Sequence, residues 1–313
     1  MARSLRLRLL NLGLRLVVKT GLGWVGRPET MRARFERDAR RFFRAPEDAN
    51  FVPDSIRRDG HDLMETLWAS RGRPDRHRVI LYLHGGAYIA GSPRTHRHLG
   101  ACLAGAAGAR ALLPDYRLAP EHPFPAAVED ALAAYRHLLA AGHEGGRIAL
   151  AGDSAGGGLV FALLLRLARE GLARPACAVA FSPWTDLTMT RPSLARNARR
   201  DVMLPVGRFA EVAGLYLRGV PADDPLASPA LGSYANPPPA MITASKSEVL
   251  RDDAVAIAER LREAGGDVTL ELWRDMPHAW PLFAGLVPEA GETVARAGQF
   301  IARHMAAHAE SGA

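Results

Sequence analysis

From Val79 to the end of the chain, short apolar runs alternate with longer segments in which apolar residues return every three or four positions. The runs Val79–Leu83, Ala109–Pro114, Arg147–Ala151, Ala176–Phe181, Met241–Ala244 and Val268–Trp273 are rich in Val, Ile, Leu and Ala and predict strands. Between and after them, Thr95–Gly108, Ala126–Ala141, Ala155–Glu170, a stretch near Asp252–Ala264 and another near Ala290–His308 carry the helical period. Apolar strands separated by helices predict an α/β fold with a mostly parallel sheet covered on both faces.

Two stretches break the alternation. Residues 1–50 form an N-terminal arm, with one Leu/Arg helical pattern over Leu5–Val18 and a second from Pro28 to Phe43. Residues 188–229 are inserted between two strand–helix units and hold a predicted helix, Val206–Leu217, between Pro205 and Pro221. Segments standing outside a parallel sheet at its loop end commonly cover a site. Both are therefore expected to form a helical cap on a core made of residues 51–187 and 230–313.

The arm is not expected to be a targeting signal. Arg6, Arg8 and Arg15 interrupt its apolar stretch, whereas a secretory signal needs an unbroken apolar region and a spanning helix about 20 apolar residues. Its Leu face is expected to pack on the main domain, with contact to a membrane surface as the other reading.

Composition adds three limits. With 48% hydrophobic and 23% charged residues in 313, the chain is a globular protein large enough for a substantial core. Cys102 and Cys177 are too few for a disulfide framework, so a reducing, cytoplasmic setting is expected. The net charge of +7 is uneven: residues 1–44 hold 12 of the 40 Lys and Arg but 3 of the 33 Asp and Glu. A basic arm on a near-neutral body, with no recognition motif, argues against a nucleic-acid partner. The oligomeric state stays open, a homodimer included.

The chemistry begins at Gly152-Asp153-Ser154-Ala155-Gly156, between an apolar strand and a helix. G-x-S-x-G is a common pattern, but at a strand-to-helix junction it is a nucleophile elbow. Its small residues allow a sharp turn that lifts the serine hydroxyl above the sheet, at a helix N-terminus. A phosphate loop is excluded because no Gly-Lys-Ser/Thr follows. Seventy residues before Ser154 stands His84-Gly85-Gly86-Ala87-Tyr88, directly after a strand. An acyl-transfer oxyanion needs preorganised N–H donors, and glycines let the backbone approach closely. The expected donors are the N–H groups of Gly85, Gly86 and Ala155.

A serine nucleophile needs a base, and the base an orienting acid. After Ser154 the histidines are His278, His304 and His308. The last two lie on the closing helical pattern and read as surface residues, which leaves His278, just after the run Val268–Trp273. The acid is expected after Met241–Ala244. There Asp252 and Asp253 suit the first turn of a helix, while Glu248 lies in the loop itself and is preferred. Tyr88, Asp153 and Trp184 are candidates for contact with substrate. Arg117 and Glu121 read as an ion pair bracing their loop. His96 and His98 lack the companion ligands of a metal site.

With further motifs these residues resemble the bacterial hormone-sensitive-lipase-like esterases of the α/β-hydrolase fold, most of all the branch holding small carboxylesterases and monoterpene lactone hydrolases. The further motifs are Gly91-Ser92-Pro93, the run from Asp115 to Ala126, Ser182-Pro183-Trp184-Thr185-Asp186-Leu187, Glu248-Val249-Leu250 and Met276-Pro277-His278. The resemblance implies a serine carboxylesterase with its acid at Glu248 and a cap built from the arm and the insertion. Ala87 stands where the family commonly has a third glycine. No cofactor or metal is implied. A lactonase, an amidase or a deacetylase could use the same machinery. A non-catalytic ligand-binding protein, as in the plant gibberellin receptors that resemble this family, would lack the base histidine retained here.

Overall fold

The computed structural model describes residues 4–21, 27–58 and 62–310. Eight strands form one sheet: β1 (Ala49–Arg57), β2 (Leu63–Arg71), β3 (Val79–Leu83), β4 (Arg110–Pro114), β5 (Ile148–Asp153), β6 (Cys177–Phe181), β7 (Ala240–Ser245) and β8 (Val268–Trp273). Their order across the sheet is β1-β2-β4-β3-β5-β6-β7-β8. The pairs from β4 through β8 are parallel; β2 is antiparallel to both β1 and β4. All six expected strands form, within a residue or two of their predicted limits.

The sheet divides the core in two. Along β3, Val79, Leu81 and Leu83 face one apolar cluster and Ile80 and Tyr82 the other, the alternation that a strand buried on both sides requires. Helices α4 (Ala126–Ala140), α5 (Ala155–Arg169) and α8 (Arg251–Glu263) cover the first face. Helices α3 (Pro93–Ala107) and α9 (Pro288–Glu310) cover the second. α3 starts where its chemistry says it should: the Ser92 hydroxyl accepts from Thr95 N, and Pro93 fills the first turn.

β1 and β2 lie inside stretches for which the sequence predicted no strand. β1 is an edge strand with Pro53 and an exposed Asn50, Asp54 and Ser55, so it shows neither an apolar run nor clean alternation. An edge tolerates a proline that a central strand would not. The arm forms α1 (Leu5–Gly13), a π-helical continuation (Leu14–Lys19) and α2 (Pro28–Phe42). The insertion holds α6 (Pro192–Arg196), a single 3-10 turn and α7 (Phe209–Leu217).

The expected pair between Arg117 and Glu121 does not form. Arg117 donates instead to the buried Asp130 on α4, at 2.8 Å from Nη2, while Glu121 takes Arg32 from α2 at 2.6 Å. Asp130 also accepts from Arg58 Nε at 2.9 Å and from the backbone N–H of Arg117 at 2.8 Å. A loop carboxylate four residues away could not match a buried acceptor already aimed at the loop. Asp130→Ala would leave a partly buried guanidinium and an N–H without their acceptor. It is expected to cost about 3 kcal/mol, the cost of removing one partner of a buried pair. Urea unfolding followed by circular dichroism measures it, and a loss below about 1 kcal/mol would show the pair to be dispensable.

Candidate active site

Ser154 sits between β5 and α5 with φ 53° and ψ −122°, a left-handed conformation that a side chain rarely adopts. Three backbone bonds hold it there. Its N–H donates to Phe181 O at 2.9 Å, and its carbonyl accepts from Gly158 N at 3.0 Å and Trp184 N at 2.9 Å. The flanking glycines are dictated by contact. A Cβ on Gly156 would stand 2.0 Å from Leu83 O, and one on Gly152 2.5 Å from Gly156 O. The hydroxyl lies at the N-terminus of a 15-residue helix, where developing negative charge is favoured.

Glu248 follows β7 and His278 follows β8, so the parallel sheet carries all three residues to the carboxyl ends of its strands. His278 Nδ1 and Glu248 Oε2 are 3.2 Å apart, both buried. The other Glu248 oxygen accepts from Ser245 N at 2.7 Å. Burial alone would depress His278, but the bond to Glu248 and its charge, with Asp201 and Asp153 farther off, hold the imidazole above its ordinary value of 6.5. Burial pushes the Glu248 carboxyl up, with the bond to His278 pulling the other way. Asp252 and Asp253 do begin α8, and each also holds backbone. Asp252 accepts from Ser193 N, and the buried Asp253 accepts from Thr185 N and Asp186 N at 3.0 Å each.

Two of the expected roles change. Asp153, a candidate for substrate contact, is 2% exposed. Its Oδ1 accepts from Tyr82 Oη at 2.7 Å and Gly85 N at 3.1 Å, and lies 3.4 Å from His96 Nε2. Burial opposes its charge, but His96 and Tyr82 outweigh burial and hold the carboxyl below its usual range. Asp153 therefore ties the elbow to the glycine loop, its carboxylate turned into the protein. The same bond removes Gly85 from the expected oxyanion donors, because its N–H already has an acceptor. Gly86 and Ala155 keep that role open. Ala87, at φ 58°, presents the next N–H along the loop, and the sequence offered no sign of it because attention falls on the glycines.

The loop is braced from outside as well. His84 stacks on Tyr116 at 4.1 Å, the Tyr116 hydroxyl donates to His84 O at 2.6 Å, and burial beside His96 depresses His84 to about 3, so its ring is neutral. From α2, Arg32 donates to Ile89 O and Ala119 O at 2.8 Å each. His98 contacts Leu282 O at 2.7 Å.

Tyr88 and Trp184 join an aromatic group contributed largely by the insertion. Tyr88 stacks on Tyr216 at 3.9 Å, and Trp184 meets Phe209 edge-on at 5.2 Å. Both are buried. His304, on α9, is half-buried, and the side chain of His308 lies outside the described residues.

The acid loop is clasped by residues for which the sequence showed no motif. The Ser193 hydroxyl donates to Val249 O at 2.6 Å, Asn197 Nδ2 to Glu248 O at 2.8 Å, and Val249 N to Asp201 Oδ2 at 2.9 Å. From the arm, Lys19 Nζ donates to Ala198 O and Asp201 O at 2.7 and 2.6 Å.

An elbow serine, a carboxylate-paired histidine and a glycine loop on one sheet edge define the α/β-hydrolase class. Residues 80–282 match the Abhydrolase_3 family, described as the alpha/beta hydrolase fold. An acetyl-hydrolase of Streptomyces hygroscopicus is 44% identical over 249 residues, 80% of this chain and 82% of that one. An esterase of Acinetobacter venetianus is 33% identical over 71% of this chain and 74% of its own. Among solved structures, EstE5 soaked with p-nitrophenyl butyrate superposes with a TM-score of 0.91 at 38% identity, covering 97% of this chain and 99% of that one. An esterase from the bacterial hormone-sensitive lipase family gives 0.89 at 39% identity, covering 97% and 100%. The chain belongs to this family of the alpha/beta hydrolase fold, and it is a carboxylic ester hydrolase.

Proposed function

We propose that this esterase hydrolyses short- to medium-chain carboxylic esters through an acyl-enzyme, with Ser154, His278 and Glu248 as its triad. The 3.2 Å pairing of His278 with Glu248, on the sheet edge that carries the elbow, is the observation this reading rests on. Ser154 Oγ attacks the ester carbonyl while His278 Nε2 takes its proton. The tetrahedral oxyanion is held by the N–H groups of Gly86, Ala87 and Ala155. The intermediate collapses, the C–O bond to the alcohol breaks, and His278 returns the proton to the departing alkoxide. Water, deprotonated by the same imidazole, then releases the acid and frees Ser154. Glu248 holds the Nδ1 tautomer and stabilises the imidazolium. Every proton moved is returned, so no cofactor enters the balance.

In this reading the insertion 188–229 and α2 of the arm form the cap, supported by Tyr216 stacked on Tyr88, Phe209 edge-on to Trp184, and Arg32 bonded to Ile89 O and Ala119 O. Such an aromatic wall favours small acyl groups. The names of relatives point the same way: an acetyl-hydrolase, and an ethyl acetate hydrolase of Pseudomonas putida 35% identical over 262 residues. Cys102 and Cys177 are free, in keeping with a reducing compartment. Among the described residues no helix is long and apolar enough to cross a membrane.

A nitrophenyl ester series from acetate to palmitate, with simple and monoterpene-derived lactones beside it, tests the substrate class. kcat/KM is expected to peak at acetate or butyrate and to fall by about tenfold or more by laurate. Preference for palmitate, or for emulsified triglyceride with activation at the interface, would overturn it. Lactone turnover above that of every open-chain ester would move the assignment to the lactonase branch.

A further inference from the structure

The leucines of α1 do not all pack inward as the sequence reading expected. Leu7 and Leu14 are buried against the core face that holds Met276, Trp280 and Leu282. Leu5, Leu9, Leu12 and Leu16 point the other way, 70%, 61%, 55% and 64% exposed, with Val17 beside them at 63%. Their spacing of four, three and four residues lines them along one helical face. These five are half of the ten large apolar side chains exposed among the described residues, so the outward row is a patch and not scatter.

Within the segment the charge has one sign. Arg6 and Arg8 are exposed within the same segment, Arg15 is exposed but reaches Arg199 O and Arg200 O at 3.4 Å each, and no acidic residue precedes Glu29. The helix is also fixed in place. Ser4 donates through its N–H and hydroxyl to Glu289 at 2.8 and 3.0 Å, Asn11 Nδ2 donates to Asp275 O at 2.9 Å, and Lys19 is held as described. The apolar row is thus presented on a ready-made helix, and binding need not order it.

We infer that the outer face of residues 5–17 is a docking surface for an anionic lipid bilayer, with the leucines seated among the acyl chains and Arg6 and Arg8 at the lipid phosphates. An amphipathic helix lying in the interface needs this pairing of an apolar row with flanking cations. A nucleic acid would use the arginines and leave the leucines in water. A second copy of the chain would bring the same cations face to face, with no carboxylate in the segment to separate them. The surface is distinct from the ester site and does not depend on its assignment.

Vesicle co-sedimentation of the full chain decides the matter, using phosphatidylcholine vesicles with and without phosphatidylglycerol. The protein is expected to pellet with the anionic vesicles at least about tenfold more strongly than with neutral ones, and to be released as salt rises. Leu9→Glu/Leu12→Glu should lower the anionic partition about tenfold or more, and Arg6→Glu/Arg8→Glu should remove the preference for anionic lipid. Both pairs are solvent-facing, so hydrolysis of a water-soluble nitrophenyl ester should stay at the wild-type rate and serves as the folding control. Wild-type protein that remains in the supernatant, or a leucine variant that pellets equally well, overturns the inference. So does a dimer, measured by light scattering, that the leucine variant disperses.

Discussion

Ser154→Ala is expected to abolish ester hydrolysis, with kcat down by about a million-fold, the loss found when a serine hydrolase's nucleophile is removed. The fold should survive, because what holds residue 154 is backbone: the bonds to Phe181 O, Gly158 N and Trp184 N do not involve the hydroxyl. Alanine is a poor occupant of φ 53°, but so is serine, so the exchange adds little strain. Burst kinetics with nitrophenyl acetate and mass spectrometry after a fluorophosphonate probe are the measurements. Wild-type protein should gain one phosphonyl group at Ser154 and the variant none. Ser182 and Ser245 are buried near the same sheet edge, and labelling at either would displace Ser154 from the mechanism.

Glu248→Gln is expected to lower kcat roughly ten-thousand-fold, as an amide in place of a triad carboxylate favours the wrong histidine tautomer. It should also move the acid limb of the pH–rate profile. The base works as neutral imidazole, so activity is present above the His278 pKa and is lost as pH falls through it. In the wild type burial depresses that pKa, but the bond to Glu248 and its charge lift it above 6.5, and the acid limb should lie correspondingly high. Without the carboxylate, burial prevails and the residual activity should persist to lower pH. Asp253→Asn is the control. Its Oδ1 accepts N–H groups from Thr185 and Asp186, which an amide oxygen can also accept. A collapse of kcat in Asp253→Asn with Glu248→Gln near wild type would make Glu248 the wrong acid.

The parallel strands from β3 to β7 were legible because they are buried on both faces and so are written as mainly apolar runs, whereas the edge strand β8 shows as the alternation Val-Thr-Leu-Glu-Leu-Trp. β1 and β2 were not, since an edge hairpin with one wet face leaves only a diluted pattern interrupted by Pro53. The candidate elbow, base and acid could be picked out because the proposed chemistry demands particular residue types at strand ends, and the fold pairs Glu248 with His278. What escaped was whatever depends on backbone direction. Nothing in His-Gly-Gly says that the first glycine's N–H turns to Asp153, or that Asp153 points into the protein. Arg117 and Glu121 share a loop, so a local pair was the economical guess, yet their partners lie on α4 and α2. Ser193, Asn197 and Asp201 are ordinary polar residues in an insertion. Only the folded chain shows that they grip the acid loop.

That grip limits how the insertion can move. Were residues 188–229 to shift as one piece, the bonds from Ser193, Asn197 and Asp201 to the Glu248 loop would break, and Glu248 would lose its footing. The insertion is therefore two mechanical parts. Up to Leu204, whose N–H is itself pinned to Asp201 at 2.9 Å, it is frame. The stretch from Pro205 through Pro221, bearing Phe209 and Tyr216, is tied elsewhere: the Tyr216 carbonyl accepts from Phe124 N at 2.8 Å and its ring lies on Tyr88. A displacement of that stretch would break its contact with Phe124 and Tyr88 and leave the pairing of Glu248 with His278 in place.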